Sequence, residues 1–487
     1  MKLSAVVKPA LASHAWLGIV AGGLMYLICL SGTLAVFYEE LERWEQPTVH
    51  ETLVQDPAVV QRAVAAALMR LPASPDHFYV TLPTTAVPRV SVSSDQPGQA
   101  WFVEPDGSLG DAVAHDWTHL LLNLHIYLHL PSTIGLTLVG ALGALLVGLI
   151  ASGVLAHPRI VKDAFRLRAQ GTTVLDQADV HNRLSVWGLP FHIVIALTGA
   201  YFGLASILFV LLGAAFHGGN TNAASAAIFA AEPAARGPAM IPDVAAALRG
   251  LRRVVPPGAS PSLVTLHDAG TAVQYLELQV LQPGRLIWAE YHRFDARGTY
   301  LGRTDYSDGP VGRQVAYSTY RVHFGQFGGW PVKILYGVLG LSLTVVSATG
   351  FNIWLARRRT RDYLNDLWAG VIWSPPAALA LTAITEVLLD VSSVGIFWVA
   401  LAAGLVWSVR LRDPVRARQH LCVATSTLLA LLVAGYLVTF GVTRLNPAAW
   451  WITVGLCAIA VALAGVARAA RVSPSDVERE PIDQAVA

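Results

Sequence analysis

The chain has 487 residues, of which 54% are hydrophobic and only 14% are charged. Together with a mean hydropathy of +0.50, this composition excludes an ordinary water-soluble globular protein and predicts an integral membrane protein. The formal net charge of +2 gives no reason to expect nucleic acid as a partner. The three cysteines all lie inside apolar runs, which excludes a disulfide framework and a thiolate zinc site. No Cys-x-x-Cys-His occurs, which excludes covalently attached haem.

In chain order, eight apolar runs approach the length of about 20 residues that a helix needs to cross the hydrocarbon core of a bilayer. The first is too long for the h-region of a signal peptide, about 7 to 15 residues, so we expect it to remain as an anchor. Pro375 and Pro376 are expected to break the fifth. The runs cover approximately residues 16–37, 131–155, 186–213, 331–355, 367–389, 394–409, 421–440 and 450–467.

Basic residues follow every second run, as Arg159 does after the second and Arg357 after the fourth. The positive-inside rule therefore predicts a bacterial inner-membrane protein with both termini in the cytoplasm and its two long loops in the periplasm. The expected organisation is helix 1 in 1–40, a periplasmic domain in 41–118, helix 2 in 119–157, a cytoplasmic loop in 158–180, helix 3 in 181–215, a second periplasmic domain in 216–320, helix 4 in 321–361, a four-helix membrane extension in 362–472 and a cytoplasmic tail in 473–487.

The two long loops share one order of elements, a helix followed by short strands of alternating polarity. The helices are expected at 58–71 and 243–254, and the strands at 77–82, 89–93, 100–104, 262–267, 274–280 and 287–294. Each loop lies between an outgoing and a returning helix, which indicates a duplicated unit of helix, domain and helix. The predicted fold class is an all-α membrane bundle of about eight transmembrane helices with two small α+β domains.

Four histidines follow that duplication. His14 and His181 lie at the cytoplasmic start of outgoing helices, whereas His125 and His323 lie at the periplasmic start of returning helices. Each one alone is also explained as an interfacial residue or a helix cap. Taken together they predict two bis-imidazole sites at two depths, the arrangement by which helical bundles hold b-type haem.

Several motifs around these histidines carry a family resemblance. They are HAWLG from His14 and SGTL from Ser31, Leu124-His125, DVHNRL from Asp179, HFGQFGG from His323 and TGF from Thr349. Across about residues 1–360 the chain resembles the PepSY-associated transmembrane family, which includes bacterial inner-membrane ferrisiderophore reductases and iron-regulated membrane proteins. The two long loops then resemble PepSY domains.

The resemblance implies two b-type haems ligated by His14, His125, His181 and His323, and electron transfer to a periplasmic ferric chelate such as a ferric siderophore. The chain would then be a haem-dependent ferric-chelate reductase that serves iron acquisition. It departs from the family pattern at Phe324, where threonine is usual, and in the helices that follow Asp362.

Other residues are secondary candidates for the haem sites. His129 lies four residues after His125 and is a substitute ligand or a hydrogen-bond donor to a propionate. His192 follows His181 by eleven residues, roughly 16 Å deeper, and is a mid-membrane ligand or a structural or relay residue. Arg183 and Arg321 are candidate partners for propionates, with ordinary interfacial anchoring as the alternative.

No glycine-rich nucleotide-binding motif occurs, so a quinol or a separate reductase is the expected electron donor. Two rival functions remain open. One is a permease for a peptide, a metal or a siderophore fragment, because internal repeats also suit transporters. The other is a membrane-tethered regulator that acts through its PepSY domains.

Overall fold

A computed structural model describes residues 3–157, 159–165, 173–230, 232–233, 237–282 and 284–472. The predicted tail 473–487 and part of the predicted loop 158–180 lie outside these residues. The helices are α1 (Leu3–Ala35), α2 (Tyr38–Glu45), α3 (Pro57–Arg70), α4 (Asp116–Tyr127), α5 (Ser132–Ala156), α6 (Ile160–Asp163), α7 (Thr173–Trp187), α8 (Leu189–Gly203), α9 (Ala205–Phe216), α10 (Thr221–Ile228), α11 (Val244–Leu251), α12 (Val311–Phe324), α13 (Gly329–Ala356), α14 (Tyr363–Leu389), α15 (Val394–Leu411), α16 (Pro414–Phe440) and α17 (Pro447–Val472). The strands are β1 (His77–Thr81), β2 (Ser91–Ser94), β3 (Ala100–Val103), β4 (Leu109–Ala112), β5 (Ser260–His267), β6 (Tyr275–Leu281), β7 (Glu290–Phe294) and β8 (Tyr300–Arg303).

Among the described residues, seven continuous helices are long and apolar enough to cross a membrane, namely α1, α5, α13, α14, α15, α16 and α17. The chain is therefore a multi-pass membrane protein. The third predicted span differs from the others, because α7 and α8 meet at a bend of 73° beside Gly188. The membrane helix expected over 181–215 is thus divided into α7, α8 and α9. Pro190 lacks the N–H that would continue the helix and its ring crowds the preceding turn. Counted as one span, the bent pair brings the total to the predicted eight.

Each returning membrane helix is preceded by a separate short helix that carries the histidine. α4 ends at Leu128, which has a left-handed φ of 56°, and α12 ends at Gly325, which has a φ of 68°. A left-handed residue closes a helix by letting its N–H turn back to a carbonyl of the last turn. The predicted continuous helices over 119–157 and 321–361 are therefore helix pairs, and His125 and His323 lie in the last turns of α4 and α12.

The strands form one antiparallel sheet in the order β4-β3-β2-β1-β5-β6-β7-β8. Each predicted module contributes one helix and four strands to this structure. The last strand of each module, β4 in the first and β8 in the second, was not predicted. The modules are not separate, because β1 pairs with β5 and sets Phe78 opposite Leu266 and Val80 opposite Val264. α3 and α11 cover the face that carries these four side chains, which are fully buried in a core shared by both modules. The two expected domains are thus one continuous body.

The last four helices pack on the first half of the chain. Trp117 Nε1 donates to the carbonyl of Leu379 in α14 (3.2 Å), and the hydroxyl of Tyr436 in α16 donates to the carbonyl of Trp44 (2.6 Å). The predicted break at Pro375 and Pro376 is wrong, because α14 runs through both. Pro376 leaves the carbonyl of Ile372 without its helical donor, and the hydroxyl of Tyr26 in α1 donates to that oxygen instead (2.7 Å).

Candidate functional site

The structure brings the four predicted histidines together in two facing pairs. His14 and His181 form the distal pair, at the end of the bundle away from the sheet, with ring centroids 6.2 Å apart and ring planes at 78°. His125 and His323 form the sheet-side pair, with ring centroids 6.3 Å apart and ring planes at 32°. Each pair therefore takes one histidine from each half of the chain.

These separations are compatible with two imidazoles bound to one metal ion. A metal–nitrogen bond of about 2.0 Å, followed by about 1.2 Å from that nitrogen to the ring centre, places two opposed axial imidazoles about 6.4 Å apart. The neighbouring His115 and His119 at the start of α4 have the same centroid separation as the sheet-side pair, 6.3 Å, so the facing helices and the hydrogen bonds at Nδ1 are needed as evidence beside the spacing. Both pairs lie within a few tenths of an ångström of the calculated value.

The distal pair is held by the two returning membrane helices. His14 Nδ1 lies 2.9 Å from the carbonyl oxygen of Leu149 and 3.3 Å from the hydroxyl of Ser152, both in α5. A carbonyl oxygen only accepts hydrogen bonds, so Nδ1 carries the proton. The unprotonated nitrogen is then Nε2.

The second ring of the distal pair is held in the same way by α13. His181 Nδ1 lies 3.1 Å from the carbonyl oxygen of Val346 and 3.2 Å from the hydroxyl of Thr349. The acceptors are again a carbonyl and the hydroxyl three residues later. The two halves of the chain thus use one device to orient the distal pair.

The sheet-side pair is held by the outgoing helices. His125 Nδ1 lies 3.0 Å from the carbonyl oxygen of Ile28 in α1, and His323 Nδ1 lies 2.7 Å from the hydroxyl of Thr198 in α8. Thr198 donates its own proton to the carbonyl of Val194 (2.7 Å), so it accepts from the imidazole. All four rings are therefore Nδ1–H tautomers. Among the described residues, none hydrogen-bonds an Nε2 atom of these rings.

A cavity of about 340 Å³ surrounds the distal pair. Both imidazoles line it together with largely apolar side chains and with four glycines, Gly18, Gly22, Gly153 and Gly350. Its volume is within the range of small-molecule and cofactor pockets. The glycines leave flat helix surfaces beside the rings. Paired neutral imidazoles in an apolar cavity meet the chemical requirements of a b-type haem.

The secondary histidines lie outside the two pairs. His129 is engaged at both nitrogens, because Nε2 donates to the carbonyl of Leu120 (2.8 Å) and Nδ1 accepts from Trp398 Nε1 (3.2 Å). His192 fills the α7–α8 bend against Gly188 and also lines the distal cavity. It is 2% exposed, and among the described residues none hydrogen-bonds its Nε2. Its ring packs against that of Phe191, with centroids 5.9 Å apart, and within the described residues it makes no ring contact with another histidine.

The two predicted arginines have protein partners. Arg183 pairs with Asp179 one turn earlier in α7, at 3.4 Å. Arg321 donates from its Nη1 atom to the carbonyl oxygens of Gln282 (3.3 Å) and Arg285 (2.5 Å) in the loop that follows β6. Arg321 therefore fastens α12 to the sheet domain, a contact that its position in the sequence did not reveal.

A buried charge cluster near the sheet-side pair was not predicted from the sequence. Lys333 Nζ lies 2.6 Å from a carboxylate oxygen of Glu39, and 2.7 and 2.8 Å from both carboxylate oxygens of Glu40. Gln326 donates to the second oxygen of Glu39 (3.1 Å). The cluster ties the start of α13 to α2. Nothing local in the sequence pairs Glu39 and Glu40 with Lys333, which lies 293 residues after Glu40.

Glu42, on the next turn of α2, makes no ion pair with a lysine or arginine among the described residues. Burial, and the neighbouring Glu39 and Glu45, raise its pKa from the ordinary 4.5 to about 8. Its carboxylate lies 4.0 Å from His115 Nδ1. Glu45 instead accepts from the N–H groups of Trp117 (3.0 Å) and Thr118 (2.8 Å) at the first turn of α4.

Comparisons with known proteins agree with this architecture. The family model described as "PepSY-associated TM region" matches residues 11–357, a range that contains both histidine pairs and the whole sheet and leaves out α14 to α17. The chain is also 28% identical over 253 residues to an uncharacterized protein of Pseudomonas aeruginosa. That alignment covers 49% of this chain and 63% of the relative, so the chain spans less than two thirds of the protein it matches.

Proposed function

Because this chain belongs to the PepSY-associated transmembrane family, we propose that it is a diheme b-type electron-transfer protein of a bacterial inner membrane that reduces a periplasmic ferric chelate. The observation that carries the proposal is the pair of facing imidazole sites. Each has a ring spacing compatible with axial metal ligands, 6.2 and 6.3 Å, and each ring has its Nδ1 hydrogen-bonded to the protein, which leaves Nε2 for the metal.

Two b-type haems, when bound, supply one-electron iron redox chemistry at two depths of the membrane. The chain's own part is to hold four Nε2 atoms in place. Along α1, His14 and the anchor of His125 at Ile28 are fourteen residues apart, which at 1.5 Å per residue separates the two sites by about 21 Å along the helix. That is most of the hydrocarbon thickness of about 30 Å.

The acceptor that suits this arrangement is ferric iron in a hard-oxygen chelate such as a siderophore. Reduction to the ferrous state weakens binding by hard oxygen ligands and releases the metal. The sheet domain adjoins the sheet-side pair through Arg321 and the loop after β6. We therefore propose this domain as the acceptor side and the distal cavity as the donor side, supplied by a quinol or a separate reductase.

A spectrum tests the proposal directly. Protein purified after expression with assured haem supply should give a dithionite-reduced minus oxidised spectrum with the Soret and α bands of six-coordinate b-type haem, at two haems per chain. The His323→Ala variant should keep one haem, and His129→Ala should keep two. A haem-free wild type would rule the proposal out, and two haems in His323→Ala would rule out the pairing.

A permease is the second candidate, and one observation favours it. The α7–α8 span is bent by 73° beside Gly188, and transporters use broken spans of this kind to form substrate sites from irregular backbone. The same spectrum separates the two functions. Stoichiometric six-coordinate haem supports electron transfer, whereas haem-free protein that moves a solute in vesicles supports the permease.

A further inference from the structure

The four imidazoles rest on four copies of one short sequence pattern. Each copy is an aliphatic residue, any two residues, serine or threonine, and glycine. The copies are Ile28-Cys29-Leu30-Ser31-Gly32 in α1, Leu149-Ile150-Ala151-Ser152-Gly153 in α5, Ile195-Ala196-Leu197-Thr198-Gly199 in α8 and Val346-Ser347-Ala348-Thr349-Gly350 in α13. Of the 41 glycines in the chain, only these four follow a serine or threonine. All four face a histidine of the two pairs.

The first and fourth positions of the pattern supply acceptors for Nδ1–H. At His14 and His181 both the aliphatic carbonyl and the hydroxyl are within hydrogen-bond distance, at 2.9 to 3.3 Å. At His125 the carbonyl of Ile28 is the acceptor (3.0 Å), and at His323 it is the hydroxyl of Thr198 (2.7 Å).

The hydroxyls are set up as acceptors by their own helices. Each donates its one proton to the carbonyl four residues earlier, at 2.7 to 2.8 Å. That back-bonding is common for serine and threonine inside helices and leaves the oxygen lone pairs free. Ser31 makes the same internal bond to Leu27, but no contact with His125 is present among the described residues.

The glycine at the fifth position makes room for the ring. A Cβ at Gly32 would stand 2.5 Å from Cε1 of His125, and a Cβ at Gly153 or Gly350 would stand 3.1 Å from Cε1 of its histidine. At Gly199 the corresponding distance to His323 is 3.6 Å, an ordinary van der Waals contact. Small residues also pack membrane helices in general, but here the side chain that occupies the space is an imidazole.

The pattern keeps its spacing in both halves. The aliphatic residue follows the histidine of its own outgoing helix by fourteen residues in each case, His14 to Ile28 and His181 to Ile195. Each outgoing segment, α1 or the α7–α8 pair, therefore carries a histidine at one depth and the support for a histidine of the other pair at the second depth. On the returning side the support lies in α5 or α13, and the histidine lies in the short helix before it, α4 or α12.

We infer that the four aliphatic-x-x-Ser/Thr-Gly segments are ligand-positioning elements that fix each histidine as its Nδ1–H tautomer and tune the basicity of its Nε2. The inference rests on the proposed haem function. Thr198 carries the largest share, because its hydroxyl is the acceptor that the structure gives to His323. A hydrogen-bond acceptor at Nδ1 raises the basicity of an imidazole that binds a metal through Nε2, which favours ferric iron and lowers the redox potential.

The test compares matched substitutions within the sheet-side site of the purified holoprotein. Thr198→Ala should raise the midpoint potential of one haem and weaken its retention by about 10- to 100-fold. Thr198→Ser should restore both properties. Ser31→Ala removes the equivalent hydroxyl that does not contact a ring, and should change neither. Gly32→Ala should leave one haem per chain, whereas Gly199→Ala should keep two.

The distal haem serves as the internal control for folding, because none of these residues contacts the distal pair. Potentiometric titration followed at the α bands reads the potential, and the haem-to-protein ratio reads retention. The inference is overturned if wild type carries two haems and Thr198→Ala leaves potential and content unchanged, or if Ser31→Ala shifts the potential as much as Thr198→Ala. Haem-free wild type would instead overturn the proposed function itself.

Discussion

Removing Lys333 should destabilise the fold far more than removing one of its carboxylate partners. The side chains of Lys333, Glu39 and Glu40 are only 8%, 12% and 4% exposed. Lys333→Met leaves two buried carboxylates within a few ångströms of each other and no cation. Breaking a buried ion pair from one side costs about 3–5 kcal/mol, because the remaining charge keeps its desolvation penalty. We expect a loss of unfolding free energy in this range.

Glu40→Gln is the matched control. It keeps one cation and one anion, Lys333 and Glu39, at 2.6 Å, and it retains an oxygen that accepts from Nζ. Its expected cost is about 1 kcal/mol, that of one exchanged hydrogen bond. Reversible unfolding of the detergent-solubilised protein in a denaturant titration measures both losses. A loss below about 1 kcal/mol in Lys333→Met, or equal losses in the two variants, would show that the cluster is solvated and would refute the reasoning.

Three further predictions use other parts of the structure. Oxidised protein with both haems bound should give two distinct low-spin ferric EPR signals. The distal pair, with ring planes at 78°, should give a highly anisotropic signal, because near-perpendicular axial planes leave two iron d orbitals close in energy, and the sheet-side pair, at 32°, should give a rhombic one. A single signal would contradict these angles. His129→Ala should leave both signals in place, since both of its nitrogens are bonded to the protein; loss of one would make it a ligand. Because the pKa of Glu42 is raised to about 8, the folded state keeps a proton between about pH 4.5 and pH 8 that the unfolded state has already lost. The free energy of unfolding therefore falls as pH rises through that window. Glu42→Gln should gain a few kcal/mol above pH 8 and little below pH 5, as measured by thermal midpoints from pH 5 to pH 9; equal gains at both ends would exclude titration as the cause.

The pairing of the four histidines in space could be predicted because two independent patterns in the sequence agree. Basic residues after every second apolar run assign each helix end to a side of the membrane, and the repeated order of elements assigns equivalent positions in the halves. His14 and His181 thereby fall at one depth, and His125 and His323 at the other. In the structure the ring centroids are 6.2 Å apart in the first pair and 6.3 Å apart in the second. The depth of a residue in the membrane depends on its position along its own helix, so the sequence alone is enough to predict it.

Contacts between distant helices were not predictable by the same reasoning. Lys333 and Glu40 are separated by 293 positions, and nothing in either neighbourhood specifies the other. The β1–β5 pairing joins strands of two modules, and alternation of side chains does not say which strand edges meet. The break expected at Pro376 fails because Tyr26, on another helix, satisfies the carbonyl that the proline leaves free. Tertiary partners decide each of these cases.

Four pairs of a serine or threonine followed by glycine are a sequence signal for the histidine sites. Ser31-Gly32 and Thr349-Gly350 belong to the motifs that carry the family resemblance, whereas their equivalents Ser152-Gly153 and Thr198-Gly199 lie outside those motifs. A search for hydroxyl-glycine pairs inside apolar runs finds all four. The pattern becomes interpretable only with the structure, because the imidazole that each pair supports comes from a different helix.

The pairing of β1 with β5 relates the two halves of the chain to each other. These are the first strands of the two halves, and they meet antiparallel with His77 opposite His267 and Thr81 opposite Leu263. Equivalent edges that pair in this way are what a two-fold axis produces between identical subunits. Each of the four paired histidines is hydrogen-bonded at Nδ1 within its own half, yet each pair is completed by the other half. The chain thus has the geometry of a homodimer joined end to end, and the covalent join allows α2 to exist in one half and the 73° bend in the other without loss of either shared site.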